Sequence, residues 1–250
     1  MYAMYTVLAR QASHILAYSQ DYADHSYYLQ PFMDKVTPVY PPVHMPLPNP
    51  QRVEELRAAW GKDGGPLIGF AHRFVEEKRP DLAIRAMEVV LKKYPNAKLV
   101  FAGEHKIRYE NTWERQQALV EQYRDHLIFL GLLTDTQDVA NFYAACDVQV
   151  LTSDTECFAL AQVEAMLCGT PVVATDIPGG RVPVRETGMG KLAHPGDWQS
   201  IGAALVDVLD QPETYRKPRE EIERKFSFKE TVDRYEEQFR QYARRSANSN

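Results

Sequence analysis

No stretch of this sequence stays apolar long enough to span a bilayer. Residues 1–15 lack both the basic start and the sustained apolar core of a secretory leader. Cysteine is scarce: Cys146, Cys157 and Cys168 are the only three, none in a C-x-x-C pair and too far apart for a zinc site. A small odd number of thiols in a helix–strand chain points to reduced, mostly buried cysteines in the cytoplasm. There is no Asp-x-Asp, and no His/Asp cluster has ligand spacing, so no metal and no other cofactor is called for. No basic excess exists either. With 29 Lys and Arg against 34 Asp and Glu, the net charge of −5 argues against a nucleic-acid surface. No repeat of short fixed period is visible.

What is present is alternation. Short apolar runs at 67–71, 99–103, 127–131, 148–151 and 172–174 read as buried strands, with a return near Lys191-Leu192. Between them, helical periodicity covers 80–94, 112–126, 136–145, about 159–167 and 198–209. That order specifies an α/β fold with a Rossmann-like, doubly wound parallel sheet. Ahead of it, 1–12 reads as a helix, 14–19 as a short strand, and 21–29 as a helix capped near Ser19 or Gln20. Residues 35–40 read as a strand that Pro38 limits to an edge or a short pairing. Pro41, Pro42, Pro46, Pro48 and Pro50 then stiffen an extended connection to a helix over 51–60. A final helix opens at Ser227, with Glu230 three residues on as a capping box, and runs to about 245. Its apolar stripe is Val232, Tyr235, Phe239 and Tyr242, and a frayed tail is expected over 246–250.

The stretch 153–174 organises the rest. A strand enters a polar loop carrying Glu156, a helix follows with Glu164 on it, and Gly169 with Pro171 stops that helix. Seven residues separate the two carboxylates. The helix start between them is a ready anion site, so phosphates could lie there with hydroxyl-bearing groups on either side. By spacing alone, a solvated loop acid and a surface helix acid are the simpler reading, because two Glu seven residues apart are common. Ligands of open parallel sheets bind outside the carboxyl ends of the strands. That rule gathers the loops at 72–78, 104–108, 132–135 and 154–158. The first carries Arg73 and Lys78, the cations a diphosphate needs, though Glu76 and Glu77 beside them would also suit a plain solvated loop.

The wording around these residues resembles a known family. Glu156-x-Phe158, Glu164-Ala165-Met166 and Gly169-Thr170-Pro171-Val172-Val173-Ala174 resemble the E-x7-E signature of retaining, nucleotide-sugar-dependent glycosyltransferases of GT-B fold, group 1. Arg73 and Lys78 resemble that family's Gly-Arg…Lys-Gly loop. Three positions depart from the pattern: His72, Arg79 and Ala159 stand where glycine is usual.

The resemblance implies a division into 1–48 (tail of an acceptor domain and Pro-rich linker), 49–225 (nucleotide-sugar-binding domain) and 226–250 (crossover helix and tail). It implies that Arg73 and Lys78 hold the donor diphosphate of a UDP or GDP sugar and stabilise the leaving group. Glu156 would meet the donor sugar, and the backbone of Phe158, Ala159 and Leu160 the phosphates. Glu164 would meet the ribose. The base would lie between the loops after Gly103 and Gly131, with His105 and Lys106 in range. Catalytic residues would be Glu156, Arg73 and Lys78. The expected partners are a nucleotide sugar and a sugar, lipid or other acceptor, in the cytoplasm or peripherally at the inner membrane face. With most of an acceptor domain lacking, the isolated chain is expected to turn over little and to self-associate. Two other readings stay open: a non-catalytic nucleotide-diphosphate-binding module acting with a partner chain, and a GT-B-related nucleotide-sugar epimerase.

Overall fold

The computed structural model describes residues 2–62 and 64–247, without the side chains of Tyr2, Ala3, Tyr242 and residues 244–247. Two parallel sheets form. The small one pairs β1 (Ile15–Ala17) with β2 (Val36–Pro38). The large one contains β3 (Leu67–Phe70), β4 (Lys98–Ala102), β5 (Leu127–Gly131), β6 (Val148–Leu151), β7 (Val172–Thr175) and β8 (Gly190–Ala193). Its spatial order is β5-β4-β3-β6-β7-β8, every neighbour parallel. Succession therefore runs outward one way from β3 and the other way from β6. This is the doubly wound order, with its switch point between those two strands.

The strands read as continuous apolar runs because both sheet faces are covered. Successive side chains go to opposite faces. Leu67, Val100 and Val172 join one core, which holds Phe142, Val163 and Met166; Ile68, Leu99 and Val173 join the other, which holds Leu82, Val90 and Leu205. Helices Pro80–Lys93 and Trp198–Asp210 cover the second face together. Full burial of one such aliphatic side chain contributes about 1.5–3 kcal/mol. The sheet is therefore the rigid base from which the loops project. Among the described residues, no helix is long and apolar enough to cross a membrane.

Several expectations shift. The helix expected over 21–29 ends at His25, and a separate 3-10 turn, Gln30–Lys35, begins with Pro31 at its start. Proline cannot sit inside a continuing helix. Ser19 does cap the first piece, accepting the Tyr22 N–H at 3.1 Å. The helix expected over 112–126 is broken into Thr112–Arg115, Gln117–Gln122 and a 3-10 turn, Arg124–His126. Trp113 is drawn into a cluster with Phe74 and Phe129, and tertiary packing overrides local propensity. Helices Val182–Thr187, Pro212–Tyr215 and Arg219–Lys225 were not anticipated, although Pro183 at a helix start and the left-handed Gly188 at its end are helix signals. Gly169 does stop the preceding helix in the left-handed region (φ 85°).

The last helix, Phe228–Ala247, continues past the expected end, and 248–250 lie outside the described residues. The Glu230 N–H donates to the Ser227 hydroxyl at 3.2 Å, the hydroxyl half of the capping box. Tyr235 is half-buried and Phe239 exposed; the Tyr242 side chain lies outside the described residues.

Arg79 is the only described non-glycine residue with positive φ (48°), and it caps the helix that begins at Pro80. An L-residue pays roughly 1–2 kcal/mol for that conformation, which glycine adopts freely. The guanidinium offsets it by gripping Asp81 with two bonds of 3.0 Å and Asp154 with one of 3.2 Å. Those carboxylates push its pKa further up. Arg79→Ala loses the grip and keeps the strain; Arg79→Gly loses both. Arg79→Gly should therefore be more stable than Arg79→Ala by about 1 kcal/mol, or roughly 2–4 °C in Tm by thermal denaturation. Equal or reversed Tm values would show that the left-handed turn does not govern this junction.

Candidate functional site

The loop after β3 and the loop after β6 face each other across the switch point and are stitched together. The Thr152 hydroxyl shares its hydrogen between the Lys78 and Arg79 carbonyls, each at 2.8 Å. The Asp154 N–H donates to the Glu77 carbonyl at 2.9 Å. Thr175, at the end of β7, donates to the Ser153 carbonyl at 2.8 Å. Arg79 adds its ion pair with Asp154, so the Arg79 side chain is a staple between loops and no free cation.

Lys78 and Glu156 form the centre. The ammonium is 2.8 Å from Glu156 Oε1, and the two side chains are only 16% and 11% exposed. Ser153 donates to the same oxygen at 2.8 Å. Glu156 is thus no solvated loop acid; it is held by one cation and one hydroxyl. Glu164 is no surface acid either. It is half-buried, and its Oε2 accepts the Tyr143 hydroxyl at 2.9 Å. Burial raises its pKa, and the Tyr143 hydrogen bond works in the other direction. The Tyr143 ring is buried, and its hydroxyl finds in Glu164 the partner a buried tyrosine needs.

A cleft of about 320 Å3 brings together Arg73, Lys78, Glu164 and His72 with Gly103, Leu132 and Leu133. It therefore collects the first loop, the helix acid and the two loops after Gly103 and Gly131. Arg73 is exposed and donates to the Tyr109 hydroxyl on the loop after β4. His72 lines the cleft with its Nε2 buried and unpartnered among the described residues. Burial, with the Lys78 ammonium adding to it, pushes its pKa down to about 3, so it is neutral at pH 7. Glu156 does not line this cleft. It lines a second depression, between its own loop and the N-terminal segment, to which Lys78 does not belong. The sequence puts one acid on either side of the helix start; in the structure they line different depressions, Glu164 the cleft and Glu156 the second one.

That start, Leu160–Leu167, has no side-chain cap. The Leu160 N–H is turned back onto the Phe158 carbonyl at 3.0 Å, while among the described residues no protein acceptor meets the Phe158 or Ala159 N–H. Phe158 and Ala159 bury their side chains, Phe158 against Tyr40 and Phe226. Ala159 has φ −82°, so its departure from glycine brings no backbone strain. His105 packs on Trp113 at 4.6 Å and does not line the cleft; Lys106 lines a separate open depression.

The loop 179–181 is tied down. Asp21 accepts the Gly179 N–H at 2.8 Å and pairs with Arg181 at 2.6 Å. Burial alone would raise the Asp21 pKa, but the Arg181 and Gly179 hydrogen bonds bring it below the usual value. A Cβ on Gly179 would sit 2.3 Å from the Glu156 carbonyl oxygen, so only glycine lets this loop back the Glu156 loop. None of this was legible beforehand, since Asp21 and Arg181 lie 160 residues apart.

Residues 52–225 match the family model described as Glycosyl transferases group 1. A D-inositol 3-phosphate glycosyltransferase of Saccharomonospora viridis is 31% identical over 210 residues, which is 80% of this chain and 48% of that protein. A GDP-mannose-dependent monoacylated alpha-(1-6)-phosphatidylinositol monomannoside mannosyltransferase of Corynebacterium glutamicum is 31% identical over 157 residues, 60% of this chain and 39% of that one. The chain spans about half the length of the curated relatives it matches. Among solved structures, Anabaena HepE in complex with UDP-glucose superposes with a TM-score of 0.84 at 20% identity, covering 96% of this chain and 67% of that one. Sucrose-phosphate synthase from Thermosynechococcus elongatus gives 0.82 at 22% identity, covering 96% and 61%. At these identities the likeness speaks for the fold alone. A Rossmann-like sheet with its cleft at the switch point, and a family model that matches more than half of this chain, establish that this chain belongs to the group 1 glycosyl transferases and carries the Rossmann-like part of a GT-B fold.

Proposed function

We propose that this chain holds the nucleoside-diphosphate sugar of a retaining glycosyltransferase and presents its anomeric carbon to an acceptor hydroxyl. The observation that carries the proposal is the convergence of Arg73, Lys78 and Glu164 on one cleft at the switch point, with Glu156 joined to Lys78. In the transfer, a bond forms between the acceptor oxygen and the anomeric carbon as the bond to the diphosphate oxygen breaks. The electron pair leaves with the nucleoside diphosphate, which takes up the acceptor proton. The transition state is oxocarbenium-like, so the charge to be neutralised gathers on the leaving group. Arg73 and Lys78 supply that neutralisation, and the open amides of Phe158 and Ala159 add donors at the helix start. Glu164 takes the ribose diol, and Glu156, fixed by Ser153 and Lys78, takes hydroxyls of the donor sugar. The donor is a UDP or GDP sugar and needs no metal. The free thiols of Cys146, Cys157 and Cys168 suit a reducing compartment such as the cytoplasm.

Arg73→Ala and Lys78→Ala should each weaken nucleoside-diphosphate binding by about 1.5–3 kcal/mol, the range for a hydrogen bond to a charged group, and leave the bare nucleoside nearly unaffected. Isothermal calorimetry with EDTA present tests the cations and the metal-free claim together. Equal losses for both ligands would remove these residues from the phosphate site, and loss of binding in EDTA would restore a metal.

Glu164→Gln should weaken a ribonucleotide while barely moving its 2′,3′-dideoxy analogue, because only the diol donates two hydrogen bonds to a carboxylate. If both ligands weaken alike, Glu164 acts through Tyr143 and the packing of its helix, and the ribose assignment fails.

A further inference from the structure

Glu164 reaches the cleft with one oxygen already engaged. Oε2 accepts the Tyr143 hydroxyl at 2.9 Å. Oε1 meets no protein donor among the described residues and is not sealed from solvent, so it is the oxygen left open to a ligand. Both side chains line the cleft. The carboxylate sits on the helix Leu160–Leu167 and the phenol on the neighbouring helix Thr136–Ala145.

Tyr143 is fixed whether or not a ligand is bound. Its ring is 1% exposed and packs beside Phe142, with centroids 5.4 Å apart. Its backbone carbonyl accepts the Thr170 hydroxyl at 2.6 Å, from just beyond the end of the Glu164 helix. Burial, with the Glu164 charge adding to it, pushes the phenol well above its ordinary pKa, so it stays protonated and donates. A carboxylate held by one oxygen keeps one orientation, whereas the last torsion of a glutamate is otherwise broad. A half-buried acid deprived of this donor also shifts toward its neutral form. The neutral acid carries a proton where the carboxylate accepts, so a diol that donates twice needs the ionised, oriented form.

We propose that Tyr143 is a positioning residue for nucleotide recognition: by holding Glu164 Oε2 it aims Oε1 at a ribose diol, and the chain thereby prefers ribonucleotides to nucleotides that lack the diol. The inference rests on the reading that Glu164 takes the ribose, and adds to it a residue that acts only through that carboxylate.

The experiment is isothermal calorimetry on the whole chain with UDP and GDP and with their 2′,3′-dideoxy analogues, from about pH 8 down to about pH 5, toward the glutamate range. The ratio of the two affinities removes the titration of the phosphates and the charges of Arg73 and Lys78, which bear on both ligands alike. Of the other groups facing Glu164, His72 is neutral, and burial pushes the Cys168 thiol up to about 12. Tyr143→Phe keeps the buried ring and removes the hydroxyl. It should weaken the ribonucleotide about fivefold at pH 7, the scale of one hydrogen bond, and leave the dideoxy analogue nearly unmoved. In the unaltered chain the ribose preference falls as pH drops toward the Glu164 pKa, which the Tyr143 bond lowers. Without the hydroxyl the same fall should set in at higher pH. In Glu164→Gln the preference should be absent at every pH, and adding Tyr143→Phe should change nothing further. That double variant leaves no carboxylate without its donor, which keeps the test available if Tyr143→Phe alone unfolds by circular dichroism. Equal weakening of both ligands by Tyr143→Phe, an unshifted pH profile, or a further loss in the double variant would overturn the inference and leave the ribose reading in place. An undiminished ribose preference in Glu164→Gln would instead remove the ribose reading, and this inference with it.

Discussion

The parallel pairing of β3 with β6 is the constraint on which the rest depends. Ile68 pairs with Val148 and Gly69 with Gln149 at the middle of the sheet, and chain succession runs outward in opposite directions from there. Loops after neighbouring strands of a one-way sheet all cross the same face. At this junction they part, and a crevice opens between them. Arg73 and Lys78 line the cleft there and Glu156 meets Lys78 because β3 and β6 end side by side, although the two loops lie almost 80 residues apart in sequence. Thr152, Asp154 and Thr175 then fix the spacing of the loops through their hydrogen bonds to loop carbonyls.

The charges at this junction are paired before any ligand arrives. Lys78 with Glu156, Arg79 with Asp154 and Asp81, and Arg181 with Asp21 and Asp176 form a run of ion pairs along the strand ends. Removing one member of a well-buried pair leaves the other charge uncompensated, which costs more than the pair contributes. The effect here is positional. Glu156 is held with one oxygen between Lys78 and Ser153; in the proposed function Lys78 addresses a phosphate while it stays in contact with that carboxylate. A polar environment already oriented needs no reorganisation when charge develops on a leaving group.

The three departures from the family's glycine pattern have different physical meanings. Ala159 is in ordinary backbone and buries its methyl, so glycine is not needed there. Arg79 does occupy the left-handed region that glycine usually fills, and its salt bridges hold it there. His72 adds a neutral imidazole with a buried, unpartnered nitrogen to the wall of the cleft, which glycine would leave bare. Of the three, only Arg79 acts on the backbone, and His72 changes the chemistry of the lining.

The sequence by itself determined the element types of the large sheet, because strands buried on both faces must be apolar throughout and their covering helices must be striped. It also located the loops at the strand ends and the run from Glu156 to Thr170, since these are local features. Helix breaks did not follow, because Trp113 and Pro31 act through packing and a ring that periodicity does not count. Nor did the partners of the site residues: Tyr143 for Glu164, Ser153 and Lys78 for Glu156, and Asp21 for the 179–181 loop. Those contacts join residues up to 160 positions apart, and no local pattern encodes which carboxylate a given cation will reach. Strand order decided that, and with it the separation of Glu156 and Glu164 into two adjoining pockets.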